Sequence, residues 1–239
     1  MPVAERQGSR QAARRKVGRP PRIDREMIAR AAHEVGLADL TVRRVADHLG
    51  VSVAGLYHHI AGKDDLLRLA AEYSATKVPA PVDTGQHWSL WLLEWAHHNR
   101  DAFVAEPELL GQYLEGAISA EAIADNVDAI LGVLVRQGFT ILEARAAYEL
   151  VSSCALGSAI NAIREVRAAA NGRPVAAEHL RVLAQRDPDD LPYLRLLVAE
   201  AALAGEQPFV ARVATVLIGI AAERGEPWQP IVDAIRSAS

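Results

Sequence analysis

The sequence predicts an all-α protein in two parts: an N-terminal three-helix helix-turn-helix domain and a larger helical bundle. Three observations predict it. Half of the 239 residues are hydrophobic, and the strong helix formers Ala and Leu dominate them. Val and Ile fall inside helical patterns and not in alternating runs. Two short apolar-periodic segments meet at Gly50, ahead of several much longer ones.

The length suits one small and one larger domain, each with its own core. The expected division is a disordered basic arm over 1–21, a helix-turn-helix domain over 22–68 and a bundle over 69–239. No run of about 18 apolar residues lacks charge, so no membrane span is expected. The basic N-terminus lacks the apolar stretch of a secretory signal. Cys154 is the single cysteine. A reducing cytoplasm is therefore the expected setting, with no disulfide. Cys154 sits in the apolar run 152–156, where a thiol behaves as a small hydrophobe more readily than as a redox sensor.

The net charge of −4 conceals an asymmetry: residues 1–22 carry seven basic groups against Glu5. The arm is thus basic and the body acidic, so a polyanionic partner is expected for the arm alone. Gly18, Pro20 and Pro21 break the arm, which reads as a disordered tail.

Each element then follows in order. Asp24 is a good N-cap for a first helix, with Glu26 in its first turn and Met27, Ile28, Ala31, Ala32 and Val35 as its buried stripe. Gly36 ends it. Thr41 caps a short second helix over 42–49, closed by Gly50, and Ser52 caps a third ending near His59. Gly62 breaks the chain. Lys63 opens a fourth helix, with Asp64 and Asp65 in its first turn, that runs to about Lys77 and stops at Pro79 and Pro81. Further helices are expected over 85–105, 107–116, 120–137, 141–170, 190–204, 208–224 and 227–237, with Gly and Pro at the breaks.

The stretch 40–60 carries the function. Val42, Val45, Ala46, Leu49, Val51 and Leu56 make a small shared core for two helices joined by a glycine turn. The second of those helices has the dimensions to enter a DNA major groove, although many helical hairpins have glycine turns.

Residues 24 to about 70 resemble the N-terminal domain of the tetracycline-repressor (TetR) family. The matching residues are Glu34, Val35 and Gly36; Leu40 to Arg43; Ala46; Leu49 to Ser52; Leu56 to His59; and Lys63 followed by Leu66 and Leu67. The resemblance implies that Thr41 and Tyr57 hold the phosphate backbone, with His59 and Lys63 as further backbone contacts. It places Arg43 within reach of a base edge, where a bidentate contact to guanine is the natural chemistry. Val53, Ala54 and Gly55 match the exposed face of the recognition helix; Val42, Ser52 and His58 complete the candidate DNA set. Relatives often carry a polar group where Gly55 stands, so direct reading here reduces to apolar contact, Arg43 and DNA shape. Arg19 and Arg22 in the arm resemble a minor-groove hook; the alternative is a solvated tail that raises nonspecific affinity.

In the larger domain Trp88, Trp91, Leu92, Trp95, Asn99 and Phe103 share one helical face. Such a stripe lines a ligand cavity or fills a core. The resemblance favours a small-molecule effector, with Trp88, Trp91, Trp95, His98, Asn99, Tyr113, Tyr148 and Asn161 as candidate contacts. The helices over 141–170 and 208–224 are apolar and rich in small residues. The resemblance implies that two such helices from each subunit form an intersubunit four-helix bundle. Val151, Ala155, Ala159, Phe209, Val213, Val216, Leu217 and Ile220 are the candidate interface.

Adjacent histidines at 58–59 and 97–98 point to different helix faces and chelate poorly, so no metal is expected. No phosphate loop, serine elbow or paired-cysteine site appears, and no cofactor or catalysis is expected. The reading is a DNA-binding transcription regulator that binds a double-stranded operator as a homodimer and is released by a small molecule. The alternatives are a ligand-independent DNA-binding protein, and a helical enzyme or interaction module with an incidental hairpin.

Overall fold

The computed structural model describes residues 23–78, 80–204, 209–229 and 231–233. Among them every regular element is helical.

The helix α1 (Arg25–Val35) starts where the Asp24 carboxylate accepts from the Met27 amide at 2.8 Å, and buries Ile28, Ala31 and Ala32. A 3-10 turn at Leu37–Asp39, which the sequence pattern did not signal, leads to α2 (Val42–Leu49). The Thr41 hydroxyl accepts from the Arg44 amide at 3.1 Å, and Gly50 closes α2 at φ 67°. That left-handed conformation costs a residue with a Cβ, which is why glycine stands there. Next come α3 (Val53–Leu56), capped by the Ser52 hydroxyl on the Gly55 amide at 3.0 Å, and α4 (Lys63–Thr76). Ile28, Ala32, Leu40, Val45, Ala46, Leu56, Leu66 and Ala70 close a core of their own around the α1–α4 pair.

The third helix is shorter than expected. Past Leu56 the last turn tightens: the His59 amide donates to Leu56 at 2.9 Å and the His58 amide to Gly55 at 3.3 Å. These are i to i+3 bonds, so the coil continues to His59 outside regular α-geometry.

The larger body holds α5 (Trp88–Ala105), α6 (Pro107–Leu114), α7 (Ala120–Arg136), α8 (Ile141–Ala170), α9 (Val175–Ala184), α10 (Pro192–Ala204) and α11 (Phe209–Glu223). At 30 residues, α8 is about 45 Å long. It opens on a capping box in which the side chains of Thr140 and Glu143 each accept from the other's backbone N–H. Helix α5 lies along α8, α11 packs on both, and α7 bridges α8 to α4. Trp91, Leu92, Ile130, Leu134, Val151, Val213 and Leu217 form the centre of this second core.

Two helix starts and one whole helix depart most from expectation. Helix α5 begins at Trp88, after a loop in which Gly85 takes φ 82°. Helix α9 was not foreseen; it buries only Leu183 and exposes Leu180, so its periodicity is faint. Helix α10 starts at Pro192 because Leu191 takes φ 57°. The Arg195 side chain holds that turn, donating to the carbonyls of Leu183, Asp187 and Asp190. Of the helix expected over 227–237, residues 229 and 231–233 are helical, Pro227 and Trp228 are not, and 230 and 234–237 lie outside the described residues.

The expected division at residue 68 falls inside α4, and the two cores touch across it. Leu109 of α6 is buried in the N-terminal core, and Phe103 and Ile118 pack against it. Motion of α4 is therefore tied to both halves.

Candidate nucleic-acid interface and effector cavity

Caps and burial position the DNA-facing residues. Leu56 is fully buried beneath α3, so Val53, Ala54, Tyr57 and His58 face solvent. Thr41, Arg43, Ser52 and Lys63 are also exposed, while Val42, Gly55 and His59 are half-buried. Tyr57 leaves 52% of its surface open, far from the core aromatic that its ring would otherwise suggest. A Cβ at Gly55 would lie 3.2 Å from the Ser52 hydroxyl, so glycine there gives the cap room. The arm residues Arg19 and Arg22 lie outside the described residues.

The two arginines of α2 differ. Arg44 is tied back to Asp39, 3.1 Å from its carboxylate and 3.2 Å from its carbonyl. Arg43 sits 3.9 Å from Asp47 and keeps 86% of its side chain exposed, so it is the one with reach.

Sequence reasoning missed the residues that fix the α3–α4 turn. Arg25 of α1 donates to the His59 carbonyl at 2.6 Å and pairs with Asp65 of α4 at 2.9 Å. Asp65 also accepts from the Ala61 amide at 3.0 Å and from Arg68 at 2.7 Å. The Arg25 hydrogen bond, followed by those of Ala61 and Arg68, holds the Asp65 carboxyl down at about 2 against partial desolvation. Asp65 stood out only as an acid near a helix start; its tertiary partner is 40 residues away.

A cavity lies where α4, α5, α6, α7 and α8 meet. Ala75 and Val78 form its edge at the end of α4; Trp95, Asn99 and Phe103 come from α5; Tyr113 from α6; Asn126 and Ile130 from α7; Tyr148 and Ser152 from α8. About 80 Å³ is open to the centre of a water molecule, room for several waters. Trp95 donates to the Ser152 hydroxyl at 3.2 Å and sits 6.1 Å from the Tyr148 ring; Phe103 and Tyr113 are 5.5 Å apart. Burial, then the neighbouring Tyr113, pushes the Tyr148 phenol up, which keeps it neutral.

Four of the eight candidate effector contacts are elsewhere. Trp88 is buried with its N–H on Glu226 at 2.8 Å and its ring against Phe139. Trp91 is fully buried, its N–H on the Pro81 carbonyl at 3.0 Å. Both are core, their polar atoms satisfied locally. His98 borders an adjoining groove with His33, Ser74 and Lys77, which shares Val78, Ala102 and Leu109 with the cavity, and Asn161 is exposed on α8. Trp95, Asn99, Tyr113 and Tyr148 do line the cavity.

The candidate interface residues also need correction. Val151, Ala155, Ala159, Val213, Leu217 and Ile220 are buried within the chain, and Phe209 and Val216 pack half-buried on the same core. The larger apolar side chains of α8 and α11 serve this chain's own interior. Their outer faces carry Leu142, Ala146, Leu150, Ser153 and Gly157 on α8, and Thr215, Gly219 and Ala222 on α11. Cys154 packs half-buried on the core, where burial pushes its thiol up, as suits a small hydrophobe.

Residues 27–70 match the family described as bacterial regulatory proteins, tetR family. A helix-turn-helix transcriptional regulator of Saccharopolyspora erythraea is 26% identical over 166 residues, covering 67% of this chain and 70% of its own. The class D tetracycline repressor of Escherichia coli is 28% identical over 166 residues, covering 66% and 74%. The segment 27–70 is a helix-turn-helix of the TetR type. The TetR-type fold extends beyond the matched segment. ActR of Streptomyces coelicolor, solved in complex with actinorhodin, superposes with a TM-score of 0.64 at 20% identity, covering 85% of this chain and 97% of that one.

The helix-turn-helix lies on an all-helical second body, and the chain is a DNA-binding transcription regulator. Among the described residues no helix is long and apolar enough to cross a membrane.

Proposed function

We propose that this regulator works in the cytoplasm as a homodimeric repressor, by binding and not by catalysis. Two copies of α3 enter successive major grooves of an operator, and a small molecule in the cavity releases them. One observation carries the reading. Helix α4 begins at Lys63, beside the α3 turn, and ends at Thr76, with Ala75 in its last turn and Val78 just beyond it lining the cavity. A ligand that spreads the cavity displaces the same rigid element that sets the head, which changes the spacing of the paired recognition helices. Arg43 reads a base edge; Thr41, Tyr57, His59 and Lys63 hold phosphates. Val42, Ser52, Val53, Ala54, Gly55 and His58 present the apolar and backbone surface of the groove contact.

Dimerisation is assigned to the outer faces of α8 and α11. Gly157 and Gly219 lie mid-helix with nothing within 4 Å of a built Cβ. Glycine costs about 1 kcal/mol in a helix interior relative to Ala, and this chain alone gives no steric reason for either. Close approach of a second copy does.

The test is selection of bound duplexes from random DNA, then titration of the resulting complex with compounds that bind the protein. Release by a compound whose binding requires an open cavity is the expected result. Equal operator affinity with and without a bound compound refutes the effector step.

A further inference from the structure

We propose that the cavity selects an uncharged, largely aromatic molecule bearing one or two hydroxyl or carbonyl groups. The inference rests on the effector reading above and adds its chemical class. No Asp, Glu, Lys, Arg or His is among the described residues that line the cavity. An ionised ligand would leave water without finding an opposite charge, a penalty that only close pairing repays.

Four aromatic side chains, Trp95, Phe103, Tyr113 and Tyr148, line the space together with aliphatic groups, and rings pack well against rings. The polar groups are few and neutral. Ser152 is engaged with Trp95, and Asn126 donates its side-chain N–H to the Val78 carbonyl at 3.2 Å, leaving its side-chain oxygen as an acceptor. Asn99, from α5, adds an amide with both donor and acceptor to the lining. An acceptor beside a donor suits a hydroxyl, which gives one hydrogen bond and takes another; the donor suits a carbonyl.

The test uses three probes of one ring system on the full chain at pH 7, by calorimetry: 2-naphthol (neutral), 2-naphthoate (anionic) and protonated 2-naphthylmethylamine. The expected result is binding of 2-naphthol at least tenfold tighter than of either ion, lost in Ala102→Phe, which fills the cavity. Ala102 and Ile123 both line the cavity, so should Ala102→Phe fail to fold, Ile123→Phe is the second filling variant. An ion that binds as tightly as 2-naphthol overturns the chemical class and leaves the effector reading standing. Binding of 2-naphthol that survives both folded variants places it elsewhere and overturns the inference. If none of the three binds, the proposed chemical class falls, while the effector reading is decided by the operator titration above.

Discussion

Arg25 and Asp65, 40 residues apart, face each other at 2.9 Å, and the same guanidinium holds the His59 carbonyl at 2.6 Å. One arginine on α1 therefore fixes both the end of the recognition turn and the start of α4. The DNA-facing residues sit on a frame whose angle is set from behind.

Removing the acid from that frame should be costly. Asp65→Ala leaves the Ala61 amide, Arg25 and Arg68 without their shared acceptor. We expect a loss of about 1–2 kcal/mol in urea unfolding, because the Ala61 amide and two charge-assisted hydrogen bonds lose their acceptor while Arg25 and Arg68 keep only His59 and Glu72. Operator affinity should fall as well, since the α3–α4 turn loses its tie. A stability change within about 0.5 kcal/mol, the range of an ordinary surface substitution, would show that the cluster is decorative.

The same carboxylate predicts an acid limb. Its folded pKa, about 2, lies below the ordinary 3.8. The unfolded state thus binds the proton more readily, and the contribution is fully present above about pH 4 and fades as pH falls toward 2. Discounted for solvent screening at the surface of the head, the contribution is about 1 kcal/mol. Denaturant midpoints of the wild-type chain and Asp65→Asn should converge between pH 4 and 2. A constant gap across that range would assign the effect to packing.

The punctuation of the head was legible because its signals are local. Thr41, Gly50 and Ser52 each act within three or four residues, and the structure uses each one as a cap or a turn. The tryptophan stripe was not legible in the same way. Trp88, Trp91 and Trp95 share a helix face, yet successive turns meet Phe139 and Glu226, the Pro81 loop, and the cavity. Periodicity tells which side chains face inward and nothing of what stands opposite. The apolar faces of α8 and α11 misled for a related reason: a buried stripe looks alike whether it meets its own chain or another. Arg25 and Asp65 had no local signal, as their pairing exists only once α1 and α4 have packed.

Tyr57 and Lys63 separate binding from folding. Both are exposed, and Tyr57 is not among the buried residues of the N-terminal core. Tyr57→Ala and Lys63→Ala should leave stability within about 0.5 kcal/mol of wild type. Lys63→Ala should also weaken binding about equally on all sequences and lower the salt-dependence slope by about one. Arg43→Ala should instead relax the preference at one base position, by about 1–3 kcal/mol of discrimination. Uniform weakening by Arg43→Ala, with no change in preference, would make it another phosphate contact.

The outer glycines of α8 and α11 offer a test in which two explanations differ in sign. Within one chain, Gly157→Arg and Gly219→Arg meet no atom within 4 Å of the new Cβ, and each replaces a poor helix former by a good one. If those faces are simply solvent, each substitution should raise stability by about 0.5–1 kcal/mol and leave the assembly unchanged. If a second copy packs there, the new side chain occupies the space where two helices approach, and a buried like charge is set against its twofold mate. We expect sedimentation to show monomers and operator affinity to collapse, because one head then binds without the other. Val151→Ala, which empties this chain's own core, is the control: it should lower stability and leave the subunits paired.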